Sequence, residues 1–176
     1  YLDSFPLITF MEIRKTMSAV YSCLRPTIFI ILLALTLEPM AQPFNNYNAS
    51  LMKVGRSASA WADFDNDGDL DMIVAGRLSN GSKVSELYTN DQGSIAALNA
   101  GLTGVDDASV CWGDYDMDGD LDFVLLGNSD AGDKTMIYRN DDGIFTDIEA
   151  GLQGVSNGDV CWVDYDSDDD LDLFIT

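Results

Sequence analysis

Three short stretches of the chain place aspartate at every second position. They are DFDNDGDLD at 63–71, DYDMDGDLD at 114–122 and DYDSDDDLD at 164–172. Each stretch offers carboxylate oxygens at its positions 1, 3, 5, 7 and 9, and these are the hard donors that a divalent cation such as calcium prefers. Without a counter-ion the same carboxylates would repel one another and oppose compaction of the chain. The three stretches are therefore candidate cation-binding loops.

We predict one Ca²⁺ in each loop, up to three in all. Calcium takes about six to eight oxygen ligands, whereas magnesium demands strict octahedral geometry and retains its waters, so magnesium fits less well. The side chains at positions 1, 3, 5 and 9 and the backbone carbonyl at position 7 can surround one ion. The predicted ligands are Asp63, Asp65, Asp67, Asp69 and Asp71 in the first loop, Asp114, Asp116, Asp118, Asp120 and Asp122 in the second, and Asp164, Asp166, Asp168, Asp170 and Asp172 in the third.

Position 6 distinguishes the third loop from the other two. Gly68 and Gly119 permit a sharp turn there, because glycine adopts left-handed backbone angles at little cost. Asp169 occupies the same position in the third loop, and aspartate tolerates that conformation better than most residues. We therefore expect a working third site that binds more weakly.

Two other interpretations of the loops are weaker. An EF-hand requires a bidentate glutamate at position 12, but Val74, Leu125 and Ile175 stand there, each within a predicted strand. Acidic turns that only keep hairpin ends soluble would not need three full matches in the same register. The loops alone indicate calcium and do not indicate a catalytic reaction.

The composition excludes several classes of function. The chain has 30 acidic and 9 basic residues, a formal net charge of -21 and no histidine. Without a basic stripe to neutralise phosphates, nucleic acid is not an expected partner. The absence of histidine removes His-based triads and His-ligated zinc from consideration.

The N-terminal region has the composition of a targeting segment. Arg14, Lys15 and Arg25 precede the uncharged apolar run 26–37, which suits a signal-peptide core and is shorter than the about 20 residues that span a membrane. We predict that 1–41 comprises upstream residues and a signal peptide starting at Met11 or Met17, with cleavage after Ala41. The mature chain is then expected to lack a transmembrane span.

A period of about fifty residues organises the rest of the chain. Trp61, Trp112 and Trp162 recur at this spacing, and AGLTGV at 100–105 returns as AGLQGV at 150–155. Each repeat contains four short strand-like runs separated by turn residues. In the first repeat the predicted strands are 57–64, 70–78, 83–90 and 94–99, and in the second they are 108–115, 121–128, 134–140 and 144–149.

Four-stranded antiparallel units of this length are typical of β-propeller blades, which makes the expected fold class all-β. We assign 57–106 to blade 1, 107–156 to blade 2 and 157–176 to the start of a truncated blade 3. Residues 42–56 form a lone outer strand, because Phe44 precedes Trp61 at the spacing seen in the other repeats, and residues 44–48 are expected to close the ring. Two and a half blades cannot close a ring, so we expect the chain to be an N-terminal piece that exposes apolar blade faces.

Two cysteines, Cys111 and Cys161, occupy equivalent positions in consecutive repeats, where Ala60 stands in the first. An exported chain would permit a disulfide between them. We favour a pair of buried free thiols, because equivalent sites on neighbouring units usually lie too far apart to bridge.

These loops, each preceded by an apolar-Trp strand and followed by an apolar strand, resemble the FG-GAP/VCBS repeats of integrin α-chains and of secreted bacterial proteins. The resemblance covers about residues 44–176. The Phe-Gly and Gly-Ala-Pro signatures that name the family are missing, which places the chain nearer the bacterial VCBS-like branch than the integrins. The resemblance implies a seven-bladed propeller, calcium ions that brace the hairpins, an extracellular or cell-surface location and a role in adhesion.

The expected function is therefore binding or adhesion to an extracellular protein or a glycan, without catalysis. An alternative is the propeller part of a secreted polysaccharide-degrading enzyme. A third possibility is a purely structural spacer. No constellation of catalytic side chains is visible in the sequence that would favour the enzyme.

Overall fold

The computed structural model describes residues 50–176, all within one compact unit, Asn48–Thr176. The predicted signal peptide, its cleavage site and the predicted ring-closing strand at 44–48 lie outside these residues. Within 50–176 the chain forms strands, turns and loops, and no helix. In that range there is accordingly no helix long and apolar enough to cross a membrane.

Ten strands make up three antiparallel sheets in chain order. We call these sheets units 1, 2 and 3. Unit 1 contains β1 (Val54–Ala62), β2 (Asp71–Leu78), β3 (Lys83–Asp91) and β4 (Ser94–Ala97). Unit 2 contains β5 (Asp106–Gly113), β6 (Asp122–Ser129), β7 (Gly132–Asp141) and β8 (Ile144–Asp147). Unit 3 contains β9 (Val160–Val163) and β10 (Asp172–Ile175).

This architecture confirms the predicted all-β fold, and the four-stranded sheets are consistent with propeller blades. The strands predicted from the repeat match those observed to within about three residues at each end. The largest difference is at the start of β1, and the first strand of both complete units begins earlier than predicted. β1 begins at Val54 instead of 57, and β5 begins at Asp106 instead of 108.

The early start of these strands reflects a β-bulge. The register of β1 shifts between Gly55 and Ala58, and that of β5 shifts between Asp106 and Ser109. Arg56 in the first bulge has φ of 51°, which is unusual for a residue other than glycine. A bulge inserts one unpaired residue and interrupts the alternation of side chains, so the sequence pattern did not reveal this part of the strand.

The second strand of each complete unit is buried on both faces. β2 is inaccessible from Asp71 to Gly76, and β6 from Asp122 to Gly127. Alternate residues of these strands point to opposite faces of the sheet. Both faces of each sheet therefore pack against neighbouring parts of the chain. We call the face toward the preceding part of the chain the N-side face and the other the C-side face.

One apolar core joins unit 1 to unit 2. It brings the C-side face of unit 1 against the N-side face of unit 2. The members from unit 1 include Phe64, Ile73, Ala75 and Leu87, and those from unit 2 include Trp112, Phe123, Leu125, Tyr138 and Phe145. A second core joins unit 2 to unit 3 in the same way, through Tyr115, Val124, Leu126 and Ile137 of unit 2 and Val160, Trp162, Leu173 and Ile175 of unit 3.

The linker between units runs so close to a strand that only glycine fits. A Cβ at Gly104 would lie 2.3 Å from the carbonyl oxygen of Lys83, and a Cβ at Gly154 would lie 2.0 Å from that of Asp133. Bridges between Val84 and Val105 and between Lys134 and Val155 hold the linkers there. The second glycine of AGLTGV and of AGLQGV is thus required by backbone packing.

The two cysteines in the described region are free, as predicted. Cys111 is half-buried within the second core, but Cys161 is exposed. The prediction of two buried thiols is therefore wrong for Cys161. Its side chain lies on the C-side face of unit 3, and the described residues place no further strand against that face.

Candidate metal centres

Each acidic loop joins the first two strands of a unit. The strands pair in the same register at the base of every loop, with Ala62 opposite Asp71 in unit 1 and Gly113 opposite Asp122 in unit 2. In unit 3 Val163 stands opposite Asp172. In each pair the residue at position 9 of the loop stands opposite the residue that precedes position 1. The hairpin therefore brings the two ends of the acidic stretch together.

Three aspartates of each loop converge. In the first loop they are Asp63, Asp65 and Asp71, at positions 1, 3 and 9. One carboxylate oxygen from each lies within 4.8 Å of the others. Oxygens that share one calcium at about 2.3–2.6 Å lie at most about 5 Å apart, so this spread suits a single ion. The equivalent groups are Asp114, Asp116 and Asp122 in the second loop and Asp164, Asp166 and Asp172 in the third.

The hydrogen bonding of the Asp63 carboxylate indicates whether a metal ion fits between the three aspartates. Its Oδ2 accepts a hydrogen bond from the backbone N–H of Gly68 at 3.0 Å. Its Oδ1 is buried and has no hydrogen-bond partner. A buried oxygen without a partner costs free energy, and a cation between the three carboxylates would supply the missing interaction. The residues present therefore fit a calcium ion.

The predicted ligands at position 5 lie outside these groups of three. Asp67 Oδ1 accepts a hydrogen bond from the backbone N–H of Asp69 at 2.8 Å, and Asp118 Oδ1 accepts one from Asp120 at 2.9 Å. In the third loop Asp168 Oδ1 accepts one from Asp170 at 3.3 Å. These side chains thus shape the turn, and their role as ligands stays a prediction.

The side chains at position 7 accept hydrogen bonds from a neighbouring turn. Asp69 Oδ2 accepts a hydrogen bond from the backbone N–H of Gln92 at 2.7 Å, and Asp120 Oδ2 accepts one from Asp142 at 3.0 Å. Each bond ties the acidic loop to the hairpin between the third and fourth strands. The role of the position 7 carbonyl as a ligand stays a prediction.

Position 9 is the most buried acid of the acidic loop in units 1 and 2. Asp71 Oδ2 accepts a hydrogen bond from the backbone N–H of Phe64 at 3.1 Å, and its Oδ1 accepts one from Asn90 at 2.8 Å. Asp122 makes the same pair of bonds with Tyr115 and Asn140. Both carboxylates are inaccessible to solvent.

Burial raises the pKa of both carboxyls, although the two N–H donors act in the opposite direction. For Asp122 the pKa rises to about 6, and neighbouring Asp116 and Asp118 add to the rise through their negative charge. Burial also raises the pKa of Asp65 in the first loop. The free carboxylates are thus costly to ionise, and a bound cation would favour the ionised form.

Two asparagines that were not predicted as site residues hold the loops in place. Asn90 Nδ2 donates to the carbonyl of Leu70 at 3.0 Å, while its Oδ1 accepts from the N–H of Gly93 at 2.9 Å. Asn140 Nδ2 donates to the carbonyl of Leu121 at 3.2 Å in its own unit and to that of Phe64 at 2.9 Å in unit 1. The only sequence clue to these residues is their recurrence at the fifty-residue spacing.

The third loop differs in its surroundings. Asp172 accepts a hydrogen bond from the N–H of Tyr165 at 3.0 Å, but the third strand that supplies the second donor in units 1 and 2 is not among the described residues. All three converging aspartates of this loop are exposed. Asp169 has φ of 73°, beside 95° at Gly68 and 98° at Gly119, so position 6 is left-handed in all three loops as predicted.

Comparison with known proteins gives one match. Residues 63–125, which run from the first acidic loop into β6, match the family described as FG-GAP-like repeat. No curated protein and no solved structure gave a significant match. The match supports the FG-GAP part of the resemblance. Calcium, the VCBS branch and a bacterial source stay predictions.

Replacing Asn140 by alanine should destabilise the chain more than replacing Asn90. Asn140 is buried and its amide links both units, whereas the bond of Asn90 to Leu70 is exposed. Because the variant leaves buried carbonyls without a donor, we expect Asn140→Ala to lower the free energy of unfolding by about 1–3 kcal/mol. Denaturant unfolding of both variants in calcium measures this difference. Equal losses would contradict a linking role for Asn140.

The metal-free chain should lose stability as the pH rises from about 4 to about 6. The pKa of the Asp122 carboxyl is about 6 in the folded chain, whereas its ordinary value is 3.8. The folded state therefore binds more protons than the unfolded state in this pH window. The free energy of unfolding then falls until the carboxyl is ionised and stays constant above that pH. Thermal melting in EDTA at several pH values should show a smaller fall of the melting temperature with pH for Asp122→Asn than for the wild type. If the melting temperature of Asp122→Asn fell with pH as steeply as that of the wild type, Asp122 would not be the group responsible.

Proposed function

We propose that this chain is a calcium-stabilised β-propeller repeat module that acts outside the cell in binding or adhesion. The observation that carries the proposal is the convergence of three aspartates at the same place in three successive hairpins. The FG-GAP-like match over 63–125 adds support, because repeats of this family are typical of extracellular proteins. The apolar segment at 26–37, consistent with a signal peptide, points the same way.

Calcium in this proposal has a mechanical role. Asp63, Asp65 and Asp71 and their equivalents would hold the ion, which supplies the positive charge that offsets their repulsion. Asp71 connects the site to strand β3 through the N–H of Asn90, and Asp69 connects it to the next turn through Gln92. Binding free energy of the ion thereby becomes folding free energy of the unit.

The proposed surface for a partner consists of the loops at the ends of the strands. Loops on a rigid β-scaffold can vary without disturbing the core, and binding residues are commonly found there. We propose a protein or a glycan as the partner, and binding instead of catalysis as the role of these loops.

Calcium should raise the melting temperature of the chain, and EDTA should reverse the rise. If each site has a dissociation constant of about 0.1–1 mM, as in extracellular modules, about 10 mM calcium would stabilise by about 1.4–2.7 kcal/mol for each intact site. Asp63→Asn and Asp114→Asn should each remove one such increment, and Asp164→Asn should remove less because the third site is exposed. A melting temperature that is indifferent to both calcium and EDTA would contradict the proposal.

Asp130→Asn is the matched control for this series. This substitution removes the same negative charge as the others, but the side chain of Asp130 is 94% exposed and lies outside the acidic loops. Its calcium-dependent shift should equal that of the wild type. If it reduced the shift as much as Asp63→Asn does, calcium would act through general screening of the negative charge.

The proposed partner class can be tested on glycan arrays and with extracellular-matrix proteins immobilised on a sensor surface. We expect retention of the full-length protein in calcium and loss of retention in EDTA, because the loops depend on the hairpins that the ion supports. The Asp63→Asn, Asp114→Asn double variant should bind less than Asp130→Asn. Absence of retention on either surface in calcium would favour a structural spacer over a binding module.

A further inference from the structure

A side-chain hydrogen bond links the first acidic loop to the second. Asn66 stands at position 4 of the first loop, between two of the predicted ligands, and its Nδ2 donates to Oδ1 of Asp120 at 3.1 Å. Asp120 stands at position 7 of the second loop, and its other carboxylate oxygen accepts from the N–H of Asp142 at 3.0 Å. A side chain of the first loop therefore helps to position a residue whose backbone carbonyl is a predicted ligand in the second.

A second link between the two loops runs through Phe64 and Asn140. The N–H of Phe64 donates to Asp71, at position 9 of the first loop, and the carbonyl of Phe64 accepts from Nδ2 of Asn140 at 2.9 Å. The N–H of Asn140 donates to Asp122, at position 9 of the second loop, at 2.8 Å. An unbroken series of hydrogen bonds thus connects a predicted ligand of the first loop with a predicted ligand of the second.

Position 4 of the second loop has the same backbone shape but a different side chain. Met117 stands there with φ of 59°, the same value as at Asn66, and it is 65% exposed. A thioether carries no N–H donor, so Met117 cannot bond to the third loop as Asn66 bonds to Asp120. The first link is therefore a property of the Asn66 amide and not of the repeated backbone.

We propose that Asn66 is a positioning residue that couples the first two metal centres, so that an ion in one loop raises the affinity of the other loop for calcium. This inference rests on the proposed function, because it requires that both loops bind calcium. Once the three converging aspartates of the first loop hold an ion, the backbone on both sides of Asn66 is fixed and its amide holds Asp120 in place. The second loop then loses less conformational freedom when its own ion binds, and this lower cost is a positive coupling between the sites.

Repulsion between the ions would act in the opposite direction. Like charges repel one another, so an ion in the first loop would, by its charge alone, lower the affinity of the second loop for calcium. A rise in affinity therefore distinguishes coupling through the hydrogen-bonded links from the effect of the ionic charge.

The first and second loops each contain one glycine that reports on its own loop. The N–H of Gly68 donates to Asp63 at 3.0 Å, and that of Gly119 donates to Asp114 at 3.1 Å. A chain labelled with ¹⁵N-glycine gives one amide signal for each, whereas position 6 of the third loop is Asp169 and gives none. Calcium titrations of the full 176-residue chain in about 0.15 M salt, followed by these two signals, yield a half-saturation concentration for each loop.

Emptying one loop should weaken calcium binding in the other. We expect Asp63→Asn to raise the half-saturation concentration at Gly119 by about fivefold, which is at the low end of coupling between sites in proteins. Asp114→Asn should raise the half-saturation concentration at Gly68 by a similar factor, because coupling is reciprocal. If Asp63→Asn fails to fold, the Asp114→Asn chain measures the same coupling from the other loop.

Asn66→Gly isolates the contribution of the amide. Glycine adopts left-handed backbone angles at little cost, so this variant removes the donor to Asp120 without straining the loop. The fivefold factor should then fall to about twofold, as expected for the loss of one hydrogen bond, and the link through Asn140 carries the remainder. Met117→Gly is the matched control, because it makes the same backbone change at the same position of the second loop and removes no donor. It should retain the fivefold factor, and neither substitution changes the charge of the chain.

Three outcomes would overturn the inference, and the first two leave the proposed function intact. If both glycine signals shift with calcium but neither half-saturation concentration depends on the other loop, the loops bind calcium independently. If Asn66→Gly and Met117→Gly reduce the factor equally, Asn66 is not the coupling residue. If neither signal shifts with calcium, the proposed function itself fails and the coupling fails with it.

Discussion

The structure depends on the carboxylate at the base of each acidic hairpin, which is buried in units 1 and 2. Asp71 and Asp122 accept one hydrogen bond from the loop and one from the third strand of the same unit. Burying a negative charge beside other carboxylates is expensive unless it is compensated. The two backbone donors compensate in part, as the raised pKa of each carboxyl shows. A cation held by the same carboxylates would supply the remainder, and each sheet would then depend on its loop.

The same loops also govern how the units stack. Phe64 lies within the acidic sequence, yet its ring is buried between units 1 and 2 and packs against Trp112 and Phe145. Its N–H donates to Asp71, and its carbonyl accepts from Asn140 of the next unit. Because these bonds fix the backbone at position 2, a shift of the loop backbone at this position would move an aromatic ring in the core. An ion bound in the first loop would therefore be coupled to the packing between units 1 and 2 through Phe64.

Much of this arrangement could be predicted from the sequence, because each feature recurs in two or three successive repeats. The strands and the convergence of positions 1, 3 and 9 follow from repeated apolar runs and acidic stretches. The bulge at Arg56 could not be predicted, since it depends on backbone angles that arginine rarely adopts. The roles of Asp69 and Asn140 were also hidden, because each bonds to a residue more than twenty positions away or in another unit.

The joints between units differ in charge. Asp106 of unit 2 is fully buried, and Arg77 Nε of unit 1 lies 2.6 Å from its carboxylate. In unit 3 the equivalent position holds Ser156, whose hydroxyl pairs with Asp133 of unit 2. If unit 3 packed on unit 1, Arg77 would lose its anion in a half-buried site. Removing one partner of such a pair is costly, so the joint between units 1 and 2 depends on an ion pair where the joint between units 2 and 3 uses a hydrogen bond between Ser156 and Asp133.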